Sequence, residues 1–418
     1  MVNMKFRFAL SLLFFFYLTS CSGINGTSQS SPEIGAWGPL SLEKGNPADE
    51  YYFSRIESPA EKIKASIVQS NNQFLIYPNT PLAAGAAYRL SIEGNLEPFV
   101  NKIDVLEPCI VYLGEPDGKS ELWKRCPGEA PFQVTRTEGS VDEFTVSRIG
   151  DWLFYTADNN NGGNEIWQIS PDGTGMEKVH DCSQSKCSDL DFNSITNKLV
   201  FTQSGNDAQI KVFDLFSETI TDIESSGSEL SLSPDGLSLS FIDNQSGQLT
   251  IINLTDMNQI SSQSGSGLVG EWSRDSSAIL FGEMEFWGGI PGVKVYELQL
   301  GSSVIKAILY DPNQELEFYQ PRYTRNDGVY LASVRQRSAG ASRQFWLLKE
   351  GAEGVKQITN DPLYHYSFPS WSPDYSELVF QRFPVNESDG CPQIVVWNQD
   401  SDSFQVIAEN AAMPYWLP

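Results

Sequence analysis

The sequence predicts an all-β protein built mainly from repeated four-stranded units, and three observations carry that expectation. A short motif recurs along the chain, no stretch keeps a helical period over ten residues, and the last residues restart the repeat without finishing it. The fullest copy of the motif is Phe368-Pro369-Ser370-Trp371-Ser372-Pro373-Asp374, followed by the apolar strand Glu377-Leu378-Val379-Phe380. Gly270-Glu271-Trp272-Ser273-Arg274-Asp275 precedes Ala278-Ile279-Leu280-Phe281, and Leu230-Ser231-Leu232-Ser233-Pro234-Asp235-Gly236 precedes Leu239-Ser240-Phe241.

Weaker copies place Val146, Phe192 and Tyr323 at the tryptophan position. The successive steps Val146, Phe192, Leu232, Trp272, Tyr323 and Trp371 are 46, 40, 40, 51 and 48 residues, one four-stranded unit each. Further strands follow each copy, such as Glu165–Ile169, Ile210–Phe213, Leu249–Ile252, Val293–Tyr296, Phe345–Leu348 and Ile394–Trp397. At the C-terminus, Pro414-Tyr415-Trp416 repeats Pro369-Ser370-Trp371 at a spacing of 45 and lacks the strands that should come next. Three strands without a first partner lie upstream, at Cys109–Leu113, Glu121–Lys124 and Phe132–Thr135. Joining the last strand to these closes a ring and removes free sheet edges. The expected fold is a β-propeller of seven blades, one of them composite, with six as the alternative count. The Pro-Asp-Gly turns at Asp235 and Asp172, and the matching Asp374, read as tight connectors and not as catalytic acids.

Trp-Ser-Pro-Asp before a short apolar strand, together with the I-W-x-I-x-x-D-G-T pattern of Ile166 to Thr174, resembles the TolB-type, WD-like propeller repeat over about three quarters of the chain. The resemblance implies a fold shared by secreted scaffolds, peptidase gating domains and a few lyases, so it points to no single function. Only Trp272 and Trp371 keep the aromatic within a full repeat, and the other copies are degenerate.

Ahead of the ring, residues 40–105 form a smaller β unit, with the propeller assigned to 106–418. Gln73–Pro78 and Pro81–Leu90 are two strands around a Pro and Gly turn. They resemble a bacterial immunoglobulin-like module, a small β-sandwich whose implied role is a spacer. The chain opens with Lys5 and Arg7, then an apolar run from Phe8 to Tyr17, the order of a secretory signal over residues 1–20. Leu18-Thr19-Ser20-Cys21 resembles the lipobox of bacterial lipoproteins, which implies lipidation at Cys21 and a membrane-tethered, extracytoplasmic protein of the cell envelope. Residues 21–39, rich in Ser, Gly and Pro, read as a flexible linker.

Composition narrows the functions open to this architecture. With 53 acidic and 28 basic residues the formal charge is −25, which excludes nucleic acid or an anionic membrane surface as the main partner. The membrane contact expected is the N-terminal lipid. Only His180 and His365 are available to metal or triad chemistry, too few for the metal-binding set of the pectin-fragment lyases. No H-E-x-x-H, P-loop or G-x-S-x-G motif occurs, and Ser183-Gln184-Ser185-Lys186 is a four-residue match in a Ser-rich chain. No cofactor is expected. The loop Asp158 to Glu165 offers oxygen ligands for Ca²⁺ but lacks the alternating acidic spacing of a calcium loop.

An oxidising compartment makes disulfides the expected use of cysteine. Cys109 and Cys126 flank the turn at Glu115-Pro116-Asp117-Gly118, and Cys182 and Cys187 close a short loop, leaving Cys391. Turns joining the first to the second and the third to the fourth strand of each blade should be tight and share one face. The opposite face should carry longer loops, at 283–292, 335–342 and 382–391. These present Phe286, Trp287, Arg335, Arg337, Arg343, Arg382 and Phe383, residue types that interface centres favour. The expected function is non-catalytic binding of a protein or glycan partner through that face. The alternative is a carbohydrate-active enzyme, a glycan lyase or hydrolase, using acidic residues on the propeller face.

Overall fold

The computed structural model describes residues 31–417 except 71–72, 96–97, 116–117, 160, 206–207, 264–265, 288–289, 303, 338–341 and 387–389. For residues 70, 260–263, 266–269, 287, 290 and 291 it describes the backbone alone. The expected signal segment and Cys21 lie outside the described residues. From Pro32 onward the chain forms one compact unit whose described sheet-forming and core elements are all strands.

The first seven strands make one curled sheet. They are β1 (Glu33–Ile34), β2 (Leu40–Leu42), β3 (Tyr51–Arg55), β4 (Lys62–Ser70), β5 (Gln73–Pro78), β6 (Ala87–Ile92) and β7 (Val100–Val105). Their spatial order is β1-β7-β6-β3-β4-β5-β2, so the two edges come from neighbouring segments of chain. Between them Gly38 sits at φ +76, where a Cβ would meet the Ile76 carbonyl oxygen at 3.1 Å. The sheet wraps a core that includes Phe53, Ile76, Leu82, Leu90 and Ile103. β1 falls within the expected linker, which is therefore shorter: Ile34 and Ala36 are buried in this core, and the Gly and Pro content that suggested a leash serves the turn between β1 and β2.

Seven four-stranded sheets follow, the blades of a propeller. Blade 1 is composite, with Ala411–Leu417 as its inner strand beside Cys109–Gly114, Glu121–Arg125 and Phe132–Gln133. The closing strand is antiparallel, pairing Ala411 with Gly114 and Leu417 with Cys109. The other inner strands are Val141–Val146, Cys187–Asn193, Gly227–Leu232, Ser266–Trp272, Leu316–Tyr323 and Tyr364–Trp371, for blades 2 to 7. Each ends at the tryptophan-equivalent position or one residue beyond it, so the repeat spacing was a blade spacing.

The core is divided into seven layers, one in each gap between blades. In the second strand of blade 7, Leu378 and Phe380 pack toward blade 6 while Val379, between them, packs toward blade 1. The period of two thus buries both faces, and central strands read as near-continuous apolar runs. The last gap is filled by Ile110, Tyr112 and Trp416 against Val379 and Ile394.

Two disulfides pin the ring. Cys109–Cys126 crosses adjacent strands of blade 1, and Cys182–Cys187 ties the exit of blade 2 to the inner strand of blade 3. Cys391 is free and exposed.

The turn aspartates do structural work by hydrogen bonding. Asp374 accepts from the Ser372 hydroxyl at 2.8 Å, the Ser376 amide at 3.1 Å and the Ser376 hydroxyl at 2.8 Å. Asp235 and Asp275 repeat the device in blades 4 and 5, and Asp172 caps Thr174. In the first of these turns Gly236 takes φ +70 with Thr196 of blade 3 so close that a Cβ would lie 2.4 Å from its hydroxyl. Replacing Asp374 with Ala removes three acceptor contacts and is expected to cost about 1–2 kcal/mol. Urea unfolding should show a lowered midpoint for this variant and an unchanged one for Asp400→Ala, an exposed turn residue. Equal midpoints would refute the turn role.

Candidate functional site: a funnel through the ring

Every inner strand carries a bulge where its pairing to the second strand slips, for example between Ser188 and Asp191 and between Tyr319 and Arg322. Asp189, Glu229, Gln320, Phe368 and Met413 take positive φ there. A bulge leaves backbone N–H groups without a partner in their own sheet. Side-chain oxygens of the preceding blade accept them. Glu143 accepts from Leu190 at 3.3 Å, Asp189 from Glu229 at 2.9 Å and Asp191 from Leu232 at 2.7 Å. Glu271 accepts from Tyr323 at 2.6 Å, and Gln320 and Gln381 from Phe368 and Met413 at 3.2 Å each. Four of the carboxylates lining the channel, Glu143, Asp189, Asp191 and Glu271, are therefore acceptors that join blade to blade.

These strands enclose a cavity of about 1090 Å³. At the end formed by the short first turns, the module reaches in: Trp37 lies over the Arg148 guanidinium at 4.3 Å. Arg148 also donates to the Pro234 carbonyl, and Arg274 stacks on Tyr375 at 4.1 Å. Burial, then the nearby Arg274 charge, lowers the Arg148 pKa, and burial pushes the Tyr375 hydroxyl up to about 12. Trp37 escaped sequence reasoning because it falls in the segment assigned to the linker.

The opposite end is wide and divided by charge. Asp189 and Glu229 line it on the side of blades 3 and 4, and Arg335 and Arg343 on blade 6. The expected long loops are largely strand. In blade 5 the second and third strands, Ala278–Trp287 and Ile290–Gln299, pair continuously from Ala278 with Gln299 to Trp287 with Ile290. Segment 283–292 is thus a projecting hairpin, because the alternation of Met284, Phe286 and Val293 with polar residues continues the ladder. Arg335, Arg343, Arg382 and Phe383 also lie on strands, and the loops proper shrink to 337–342 and 385–392.

Of the seven candidates, Phe286 is 71% exposed at the hairpin, and Trp287 pairs at its tip with a side chain outside the described residues. Arg335 and Arg337 both bind Glu317, a carboxylate only 1% exposed. Tyr319 donates its hydroxyl to the same carboxylate at 2.8 Å, and Arg343 stacks on the Tyr319 ring at 3.9 Å. A buried carboxylate requires such pairing. Glu317 was missed because its copy of the repeat is degenerate and nothing in the sequence marks it as facing inward. Arg382 stacks on Tyr364 at 4.5 Å and donates to Gln393, while Phe383 packs against His365 with centroids 5.2 Å apart. The structure therefore gathers the blade 6 and 7 candidates on one rim, with the Phe286 hairpin on blade 5 beside them.

Other chemistry considered from sequence finds its groups engaged. Lys186 of Ser183-Gln184-Ser185-Lys186 forms ion pairs with Asp142 at 3.0 Å and Asp158 at 2.5 Å, which raise its pKa and oppose a role as base. In the loop considered for Ca²⁺, Asp158 is held by Lys186 and Glu165 by Lys178, while the Asn159 side chain accepts from Asn161 and Gly163. His180, Cys182 and Cys187 come within 4.8 Å of one another, but the two sulfurs are bonded together.

No family model matches the chain, and no curated protein matches it in sequence. Solved structures do resemble it. TolB from Acinetobacter baumannii aligns at 13% identity over 85% of this chain and 82% of that one, with a TM-score of 0.48. A prolyl endopeptidase aligns at 11% identity and TM-score 0.54, over 79% of this chain and 49% of that one. Puromycin hydrolase aligns at 9% identity and TM-score 0.52, over 72% of this chain. This chain spans about half the length of the last two, 49% and 52%. At these identities the likeness concerns the propeller fold alone.

Burial raises the Glu143 pKa to about 7 and that of Asp191 to about 6, against backbone bonds that lower them. A carboxyl raised on folding weakens the fold where it is ionised, so the ring should gain stability as pH falls from about 7 toward the ordinary carboxylate range. Thermal unfolding midpoints should rise between pH 7.5 and 5, and Glu143→Gln should flatten that rise. A wild-type midpoint that falls steadily over this window would contradict the assignment.

Proposed function

We propose that the protein is a lipid-anchored, non-catalytic propeller of the bacterial cell envelope that holds a protein partner at the wide end of its funnel. The observation that carries this reading is the asymmetry of the channel. One end is occupied by the module through Trp37 and Arg148, whereas the other bears an extended hairpin with Phe286 exposed and a rim of arginines stacked on tyrosines. Exposed aromatic and arginine side chains gathered on one surface are the groups that dominate binding energy at interfaces. Against the glycan-enzyme alternative, Glu143, Asp189, Asp191 and Glu271 each serve as an acceptor for a backbone amide of the next blade.

The spacer role of the module rests on the resemblance of Gln73–Pro78 and Pro81–Leu90, and its strand order supports an immunoglobulin-like character. β1 runs parallel to β7, while β2, the next segment of chain, crosses to the β5 edge. Lipidation at Cys21 rests on the sequence around it. Cys21→Ser should move the protein from the membrane to the soluble fraction of cells, and persistence in the membrane fraction would remove the anchor.

A photoreactive phenylalanine analogue tests the binding face. Placed at Phe286 it should yield a discrete adduct with an envelope protein. At Phe216, 87% exposed in a third-to-fourth-strand turn of blade 3, it should yield none. Adducts at neither position, or equal ones at both, would reject the reading, and release of new reducing or unsaturated ends from envelope glycans would favour the enzyme.

A further inference from the structure

Among the described residues the rim of blades 6 and 7 carries two arginines that no carboxylate pairs with, although the protein has a formal charge of −25. Arg335 and Arg343 are directly opposed cross-strand partners. Like charges in that register repel. Arg335 is compensated by Glu317, but Arg343 has no carboxylate or hydrogen-bond acceptor among the described residues and rests with its guanidinium plane on Tyr319. One blade further on, Arg382 is likewise without a carboxylate among the described residues, stacked on Tyr364 and bonded to the neutral side chains of Gln393 and Tyr366.

The two arginines share one surface. Gln344, next to Arg343, donates to the Asp361 carbonyl at 2.8 Å, and Ser342 to that of Tyr364 at 2.7 Å, which brings the start of this strand to the loop before blade 7. His365 lies in the field of Arg343, with burial and then that charge lowering its pKa, so it adds no second cation at neutral pH. Beside them Leu363 is 66% exposed and Val385 36%, joined by a backbone bond of 2.8 Å.

We infer that Arg343 and Arg382 form a carboxylate seat for an extended acidic segment of a protein partner, in which the side chains on the face turned to the seat are by turns acidic and apolar. This rests on the binding face proposed above and names the chemistry it recognises. Stacking on tyrosine holds each guanidinium flat and leaves its edge for an incoming carboxylate, the bidentate geometry that arginine favours. Leu363 and Val385 supply the apolar contact between the charges. An extended peptide fits this surface, because every second side chain returns to the same side, so acids at i and i+4 flank an apolar residue at i+2.

The test uses the full chain and three fluorescent octapeptides: one with Glu and Leu by turns at every second position and Ser between them, its Gln counterpart and its Lys counterpart. Fluorescence anisotropy at low salt should show binding of the Glu peptide at least tenfold tighter than the Gln peptide, with no binding of the Lys peptide. Arg343→Gln should weaken the Glu peptide at least tenfold with an unchanged unfolding midpoint, while Arg343→Lys should recover part of the loss. Equal affinity for the Glu and Gln peptides, or an Arg343→Gln protein that binds as the wild type does, would overturn the seat. So would binding of polygalacturonate in place of the peptide. Adduct formation from Phe286 that persists in Arg343→Gln would retain the binding face and reject only the carboxylate seat.

Discussion

The ring depends on a hydrogen bond made once in most of its gaps: a backbone amide at the inner-strand bulge of one blade, given to a side-chain oxygen of the blade before. Hydrophobic layers hold the blades together but do not fix their register, since apolar surfaces slide at little cost. The bulge amide does fix it. It must find an acceptor, and Glu143 at 3.3 Å from the Leu190 amide or Asp189 at 2.9 Å from that of Glu229 allows one relative position, while Asp191 and Glu271 take the amides of Leu232 and Tyr323 just past the bulge. The cost is carried by the acceptors. Burial raises Glu143 and Asp191 far above ordinary carboxyl values.

The same constraint accounts for the charge of the interior. A chain this acidic invites the expectation of carboxylates concentrated for chemistry, yet at the channel Glu143, Asp189, Asp191 and Glu271 are spread over blades 2, 3 and 5, and each is bonded to the blade that follows. The exception is Glu317, which binds Arg335 and Arg337 at the wide end and takes no bulge amide among the described residues. Where the belt of acceptors departs from its pattern, the surface changes sign, and the rim of blades 6 and 7 becomes the basic part of an acidic molecule.

The fold was legible because its signals are local and repeated. Ser-Pro-Asp turns, a second strand apolar on both faces and a terminal strand without its blade each follow from short stretches of chain, and together they led to seven blades. The site was legible only by residue type. Arg343 and Arg382 could be named from their distance along the repeat, but the hairpin at 283–292 was taken for a loop because Gly288, Gly289 and Gly292 lie close together there. Nothing local announces Glu317 as the partner of two arginines, since that pairing is set by which face of a degenerate strand turns inward. Trp37 was hidden for a similar reason: its environment is made by Arg148, more than a hundred residues later.

The composite blade bears on how the molecule is made. Residues 411–417 complete a sheet whose other strands were synthesised some three hundred residues earlier. Pairings of such separation are the slowest to form, because loop entropy must be overcome before any contact repays it. Until the final strand arrives, the Cys109–Gly114 edge and the apolar side of Val379 and Ile394 stand open, and blade 7 has no neighbour to complete its gap. Closure of the ring therefore waits on these seven residues, and without them both the Cys109–Gly114 edge and the last apolar layer stay open to water.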